Sequence, residues 1–351
     1  MKEQSLIGCL LGTAVGDALG LPYEGMTAAR GNRMFPDTGR HHFLFGHGMV
    51  SDDTEHACFT AQAIVASKGN IEQFERELAR SLRWWLIGLP AGIGFATLRA
   101  ILKLWLGIPP SRSGVFSPGN GPAMRSHILG VAFGSDPEKL RDSVLRSTRM
   151  THIDTKAFYG AMTVAVAANI SASGRLVRPQ DFMRTLQEYL TGVEAEECLR
   201  IMGASCESAE RGEGPAAFAE SLGSRNGISG YMYHTVPCVI QTWLRHQRDY
   251  EGGIREIIEA GGDTDTTAAI LGGIIGAGMG KEGMPERWLS RIIEWPRSAV
   301  WMERLGYEAG RMLRGEPAAV PRYFIPGIVP RNLIFLATVL GHGFRRLLPP
   351  Y

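Results

Sequence analysis

Apolar positions recur at helical spacing along nearly the whole chain. Segments 5–20, 52–67, 71–86, 153–171, 195–212, 232–247, 264–279 and 298–313 all place apolar residues three and four apart, which gathers them on one face of a helix. Strand signals are few: no alternating run of Val, Ile and Thr sits between turn residues, and no Asn-Gly pair is framed by such runs. The pattern therefore predicts an all-α chain rather than an alternation of strand and helix. Clusters of Gly, Pro and Ser at 87–94, 107–122, 172–179 and 223–230 mark loops. The long loop at 107–122 is of the kind that more often serves function than mere connection. Composition stays even to about residue 316. This predicts one helical domain over 1–316 and a C-terminal appendage over 317–351, whose short apolar helix packs on the core.

Two helices carry glycine on one face. Gly8, Gly12, Gly16 and Gly20 repeat every four residues, as do Gly272, Gly276 and Gly280. Each set makes a groove without side chains. Glycine costs ~1 kcal/mol per position in a helix interior relative to alanine, a cost that close approach of another backbone can offset. The expectation is tight packing of two central helices.

The informative polar residues are carboxylates at helix starts. Ser51-Asp52-Asp53-Thr54 opens one apolar helix, and Asp263-Thr264-Asp265-Thr266-Thr267 opens another. Either cluster alone reads as an ordinary cap, because Ser, Asp and Thr accept bonds from the free N–H groups of a first turn. Each cluster nevertheless has two carboxylates plus hydroxyls where one oxygen would do. The helices that follow are strongly apolar, so their starts fall in a partly buried place, where unpaired carboxylates repel one another and are costly to desolvate. A divalent cation relieves both problems, and hard oxygen ligands favour Mg²⁺, Mn²⁺ or Ca²⁺ over Zn²⁺. Asp17 and Glu24, in GDALGLPYEG, are a third contribution, making enough carboxylates for two ions.

Other classes are excluded. With 351 residues, 44% hydrophobic and 21% charged, the chain is neither disordered nor of low complexity. Its 37 basic and 35 acidic residues leave a formal charge of +2, too little for a nucleic-acid signature. Five cysteines without a CxxC pair fit a reducing, cytoplasmic setting. Asp17 interrupts the first apolar stretch, against a leader peptide, and the late apolar run at 333–340 falls short of the ~20 residues of a spanning helix. A calcium hand fails because Ala268 and Ile274 occupy the positions that need Gly and Glu. The dinucleotide fingerprint fails at Met124, and the phosphate loop fails because Glu282 follows Gly280-Lys281. His41 and His42 are adjacent and cannot share a helix face as in a zinc protease, and no GxSxG elbow is present.

Taken in order, GCLLGTAVGDALGLPYEG, SDDTEHA, SPGNGPAMR, STRMTHIDTKA and GGDTDTTAAILGGIIGA resemble the ADP-ribosylglycohydrolases, the family of the dinitrogenase-reductase-activating and ADP-ribosyl-acceptor hydrolases. The resemblance covers about residues 4–280 and extends toward 313. It implies a compact, orthogonal multi-helix all-α fold around a dinuclear Mg²⁺ or Mn²⁺ site. By motif, Ser51, Asp52 and Asp53 bind one ion together with Asp265. Asp263, Asp265 and Thr266 hold the second, Asp265 bridges, and Glu24 joins the second ion or its water. Asp17 then holds ligands in place. The loop Ser117-Pro118-Gly119-Asn120-Gly121 corresponds to the family segment that wraps the diphosphate and distal ribose, where glycines let backbone N–H groups approach a phosphate. His152 corresponds to a histidine near the ligand. The chain departs from some relatives in having Gly92 where they carry an acid proposed to help catalysis.

The implied reaction is metal-dependent hydrolysis at the anomeric carbon of an ADP-ribosyl group, with Glu24 positioning or deprotonating the water and an ADP-ribosylated acceptor, most simply a protein side chain such as arginine, as substrate. Two alternatives stay open from the sequence. One is a two-metal phosphohydrolase on ADP-ribose-like nucleotides, which would yield AMP instead of ADP-ribose. The other is a non-catalytic ADP-ribose-binding or crystallin-like relative. Acceptor identity and oligomeric state are not legible.

Overall fold

The computed structural model describes residues 2–349. Among them, eighteen α-helices and a few 3₁₀ turns make an all-α fold. The one pairing of named strands is a two-residue ribbon, Met26–Thr27 antiparallel to Gly261–Gly262. All eight expected helices are present with ends shifted by a few residues: Lys2–Gly20, Asp52–Ala66, Ile71–Ile87, Thr155–Ala172, Glu196–Glu210, Met232–Arg245, Thr264–Met279 and Ala299–Leu313. Further helices lie at Phe95–Trp105, Ser126–Phe133, Pro137–Arg149, Pro179–Tyr189 and Tyr250–Glu259, outside the eight expected segments. Ser126–Phe133 is buried along its whole length, so it has no polar face to give it a period. Pro137–Arg149 did carry a start signal: the Asp136 carboxylate accepts from Lys139 N at 3.1 Å, and Pro137 stands at the first helical position.

The centre of the molecule is the antiparallel pair formed by the Lys2–Gly20 and Thr264–Met279 helices. A Cβ on Gly8, Gly12, Gly16 or Gly20 would overlap the carbonyl oxygen of Gly276, Gly272, Ala268 or Thr264 respectively. The two backbones are thus in direct contact over four turns, as the glycine spacing predicts. Side chains bond to backbone carbonyls along the seam: Thr264 Oγ1 reaches across it to Gly20 O at 2.8 Å, and Tyr250 Oη, from the neighbouring Tyr250–Glu259 helix, donates to Gly12 O at 2.6 Å. The Thr155–Ala172, Met232–Arg245 and Ala299–Leu313 helices pack around the pair, which is buried almost throughout. Because the pair runs antiparallel, the end of the first helix lies beside the start of the second. The Leu21–Tyr23 turn, Glu24 and the ribbon follow at once, so this register places Glu24 next to Asp263–Thr266.

The tail departs from expectation. Its helix is not short but runs Ile328–Arg345, and among the described residues it and the first helix are the two that are long and apolar enough to cross a membrane by length and composition. The first helix is wholly buried in the core. The tail helix packs by one face, burying Phe335 against Leu21, Phe43 and Met49, and leaves Leu333, Ile334, Leu340 and Phe344 exposed on the other.

Gly16→Ala forces the central backbones apart and is expected to cost about 2–3 kcal/mol or more, read by denaturant unfolding. Gly203→Ala, on an open face of the Glu196–Glu210 helix with nothing near the new methyl group, should instead stabilise by about 0.4–1 kcal/mol. Equal effects at the two positions would contradict the backbone contact.

Candidate active site

Ser51 caps the Asp52–Ala66 helix. Its hydroxyl accepts from Asp53 N at 3.2 Å and donates to Asp53 Oδ2 at 3.1 Å. Beneath that turn lies Asp17, fully buried on the first helix. Its carboxylate accepts from Ser51 N at 2.9 and 3.0 Å, from Thr54 N at 3.1 Å and from Thr54 Oγ1 at 2.6 Å. Asp17 therefore supplies from another helix the oxygen that ties down the first turn of the Asp52 helix.

The second cluster is locked just as closely. Asp263 N donates to Ile228 O at 2.7 Å, and Gly25 N to Gly262 O at 2.7 Å. Gly262 takes a left-handed φ of +89°, and a Cβ there would overlap the Ile228 backbone, so only glycine fits. The two clusters meet where Thr266 Oγ1 donates to Asp53 Oδ2 at 3.1 Å. Asp53 Oδ1 and Asp265 Oδ1 are buried without a hydrogen-bond partner.

Charge is uncompensated here. Nearby acids have cationic partners: Glu55 pairs with Arg297 at 2.6 Å and accepts from Trp85 Nε1 at 2.7 Å, and Glu294 pairs with Arg331 at 2.6 Å. Burial first, then neighbouring carboxylates, push Asp52, Asp53 and Asp265 well above the usual carboxylate range. Burial raises Asp17 to about 7, against the lowering effect of its bonds from Thr54 and Ser51. Glu24, at the open mouth, is raised by desolvation and by Asp263 and drawn back by Arg346.

The expected substrate-binding loop adjoins this cluster. Asn120 Nδ2 donates to Asp263 Oδ2 at 2.6 Å and to Thr235 Oγ1 at 2.9 Å, and Asn120 N to Gly230 O at 3.0 Å. Ser117 Oγ accepts from Gly119 N at 3.3 Å. His152 lies buried beneath the loop, with its ring 3.2 Å from where a Gly119 Cβ would stand and 3.0 Å from a Gly121 Cβ. Burial, reinforced by Arg125, lowers His152 to about 3, so it is neutral. In this position it supports the loop rather than facing open solvent. Gly92 is exposed at φ +79°, with nothing within 4 Å of where a side chain would begin.

Arg125 was not singled out from the sequence. It is fully buried and donates to Ser147 Oγ at 3.0 Å, Ser147 O at 2.7 Å, Thr151 Oγ1 at 2.7 Å and Gly121 O at 3.3 Å, which holds the loop from below. Its place in SPGNGPAMR was the available signal. The 223–230 segment joins Glu24 and Asp263 to line an open cleft of about 510 Å³, with His234 at its side.

A sequence model described as ADP-ribosylglycohydrolase matches residues 2–316. The chain belongs to the ADP-ribosylglycohydrolase family. An Archaeoglobus fulgidus protein of unassigned activity is 33% identical over 304 residues, covering 83% of this chain and 92% of that one. The ADP-ribosyl-[dinitrogen reductase] glycohydrolase of Rhodospirillum rubrum is 26% identical, covering 82% of this chain and 89% of its own. ADP-ribosylhydrolase ARH3 of Gallus gallus is 25% identical, covering 80% and 87%. A solved structure titled as an ADP-ribosylglycohydrolase-related protein complex shares the fold with a TM-score of 0.60 at 24% identity, covering 89% of this chain and 99% of that one. Membership supports a hydrolase of ADP-ribose linkages.

The donor set at the two clusters is all oxygen, and its two orphaned carboxylate oxygens suit a hard divalent cation. Among the described residues no three acidic, His or Cys side chains already surround a common point as ligands. The set is therefore an open group of oxygens, not a closed cage.

The buried carboxyl of Asp17 fixes the sign of its own contribution to the pH dependence. Between its ordinary value of 3.8 and about 7, folded Asp17 keeps a proton that the unfolded chain has released. In chelator, the stability of the wild type relative to Asp17→Asn should therefore fall as pH rises from 4 to 7, read by thermal unfolding; taking the difference cancels the opposite contribution of buried histidines such as His127 and His152, which burial lowers to about 3. A difference that rises over that range would contradict the buried, uncompensated carboxyl of Asp17.

Proposed function

We propose that this chain hydrolyses the glycosidic bond between ADP-ribose and an acceptor, with two Mg²⁺ or Mn²⁺ ions held at the paired acidic clusters. The observation that carries this reading is the meeting of Asp53 and Thr266 across the central seam, with one orphaned carboxylate oxygen on each side, in a chain of this family. Ser51, Asp52 and Asp53 would hold one ion, Asp263 and Thr266 the other, with Asp265 between them. When bound, such cations supply fixed positive charge to ribose hydroxyls and orient water.

The chain's own residues do the rest. Glu24 stands at the mouth beside Asp263, and burial together with that neighbouring carboxylate raises its affinity for protons, the direction that favours a general base. The water oxygen bonds to the anomeric carbon as the bond to the acceptor breaks. The acceptor atom keeps that electron pair and takes a proton from solvent, while the water gives one proton to the Glu24 carboxylate, which returns it to solvent before the next turnover. In the 117–121 loop, braced by Arg125 and His152, Asn120 N and Gly119 N are engaged by Gly230 O and Ser117 Oγ, which leaves Gly121 N as a backbone donor to offer a diphosphate. Asn120, held on Asp263, ties that loop to the acidic cluster. The Rhodospirillum relative, named for a protein-linked ADP-ribosyl group, supports a protein side chain such as arginine as the acceptor.

The test is a panel of ADP-ribosylated acceptors incubated with Mg²⁺ or Mn²⁺. Free ADP-ribose is expected from at least one acceptor, no product from Asp263→Asn plus Asp265→Asn, and a loss of at least ~10²-fold in turnover from Glu24→Gln. AMP as the product, or binding of ADP-ribose with no turnover on any acceptor, would overturn the reading.

A further inference from the structure

The C-terminal segment lies outside the residues matched by the family, yet it reaches both polypeptide turns from which the acidic site is built. Near the start of the tail helix, Arg331 Nη2 donates to Val50 O at 2.6 Å, one residue before Ser51. The same guanidinium pairs with Glu294, whose Oε1 accepts from Val50 N at 3.0 Å. Val50 is therefore gripped at both its N–H and its carbonyl. Just past the other end of the helix, Arg346 Nη1 donates to Glu24 O and Nη2 to Pro22 O, each at 2.7 Å. His342 Nε2 donates to the same Pro22 carbonyl at 2.7 Å, and Arg30 Nη2 to Arg346 O at 2.6 Å. Leu21 in that turn is covered by Phe335. The tail helix is thus a splint with one arginine on each site-forming turn.

Arg346 is more than an anchor for the tail. Its two N–H donors converge on two carbonyls of one turn, so the planar fork fixes the direction in which Glu24 leaves the turn. It bonds the Glu24 carbonyl, and its charge acts on Glu24 and on Asp265 at the edge of an otherwise uncompensated cluster. Its Nε is buried without a partner.

We propose that Arg346 is a positioning residue of the hydrolytic site, fixing the Pro22–Glu24 turn through its paired bonds and tempering with its charge the affinity of the acidic cluster for divalent cations. This rests on the reading of Glu24 and the clusters given above. It makes the tail helix part of the active site.

The test uses the full chain with Arg346→Ala and Arg346→Lys, with Mn²⁺ titrated by calorimetry and turnover measured on the best acceptor of the panel. For Arg346→Ala, kcat should fall about tenfold or more while KM moves far less, because Glu24 and not substrate binding is disturbed. Mn²⁺ should bind about threefold tighter or more once a repelling positive charge is gone; general damage to the site would weaken it. Arg346→Lys keeps the charge and loses the fork, so Mn²⁺ affinity should return to the wild-type value while kcat stays below it. Should Arg346→Ala fail to fold, Arg346→Gln carries the same two readouts. Wild-type kcat in the Ala or Gln variant, or weakened Mn²⁺ binding in it, overturns the proposal. If the wild type turns over no acceptor, the hydrolase reading fails, and the Mn²⁺ measurement decides the electrostatic role alone.

Discussion

Everything at the site hangs on the backbone contact between the first helix and the Thr264–Met279 helix. Four glycines on one strip let the two helices touch main chain to main chain. Because side chains are absent there, the register cannot slide without driving Cβ atoms elsewhere on the helices into carbonyls. That register carries three functional elements at once. Asp17 is set under the turn that presents Ser51–Asp53, Glu24 emerges just after Gly20, and Asp263–Thr266 begins opposite it. The conformational cost of glycine within helices is offset by burial of both helices at the core.

The second organising fact is electrostatic. The fold provides buried arginines where it needs to compensate acids: Arg297 for Glu55 and Arg331 for Glu294. It leaves Asp52, Asp53 and Asp265 to one another, with Arg346 acting only from the rim. Retaining several desolvated carboxylates beside hydroxyl groups is unfavourable for folding alone. A positive guest of hard character would resolve that strain, which would link the cost of the metal-free cluster to the chemistry proposed for it. The hydrogen bond from Asn120 to Asp263 then couples the 117–121 loop to the same cluster.

Much of this was legible in the sequence, for identifiable reasons. Glycine at every fourth position has one efficient use in a buried helix, so the central pair could be read without coordinates. Paired carboxylates ahead of apolar helices announced a shared buried place because each cluster exceeded what capping requires. What escaped was tertiary. The buried role of Arg125 depends on Ser147, Thr151 and Gly121 converging on it, and no local pattern distinguishes that from a surface arginine. The tail looked short because Pro330 and Gly341 break its apolar run, although the helix continues through both. Its two arginines look like ordinary basic residues until the chain is folded back onto Val50 and Glu24.

The most direct measurement is anomalous diffraction from crystals soaked in Mn²⁺. Two peaks flanking Asp265, one beside Asp53 Oδ1 and one beside Asp263 and Thr266, are expected, with the orphaned oxygens turned toward them. A map without manganese density between the Asp52–Ala66 and Thr264–Met279 helix starts would contradict a site built to gather cations.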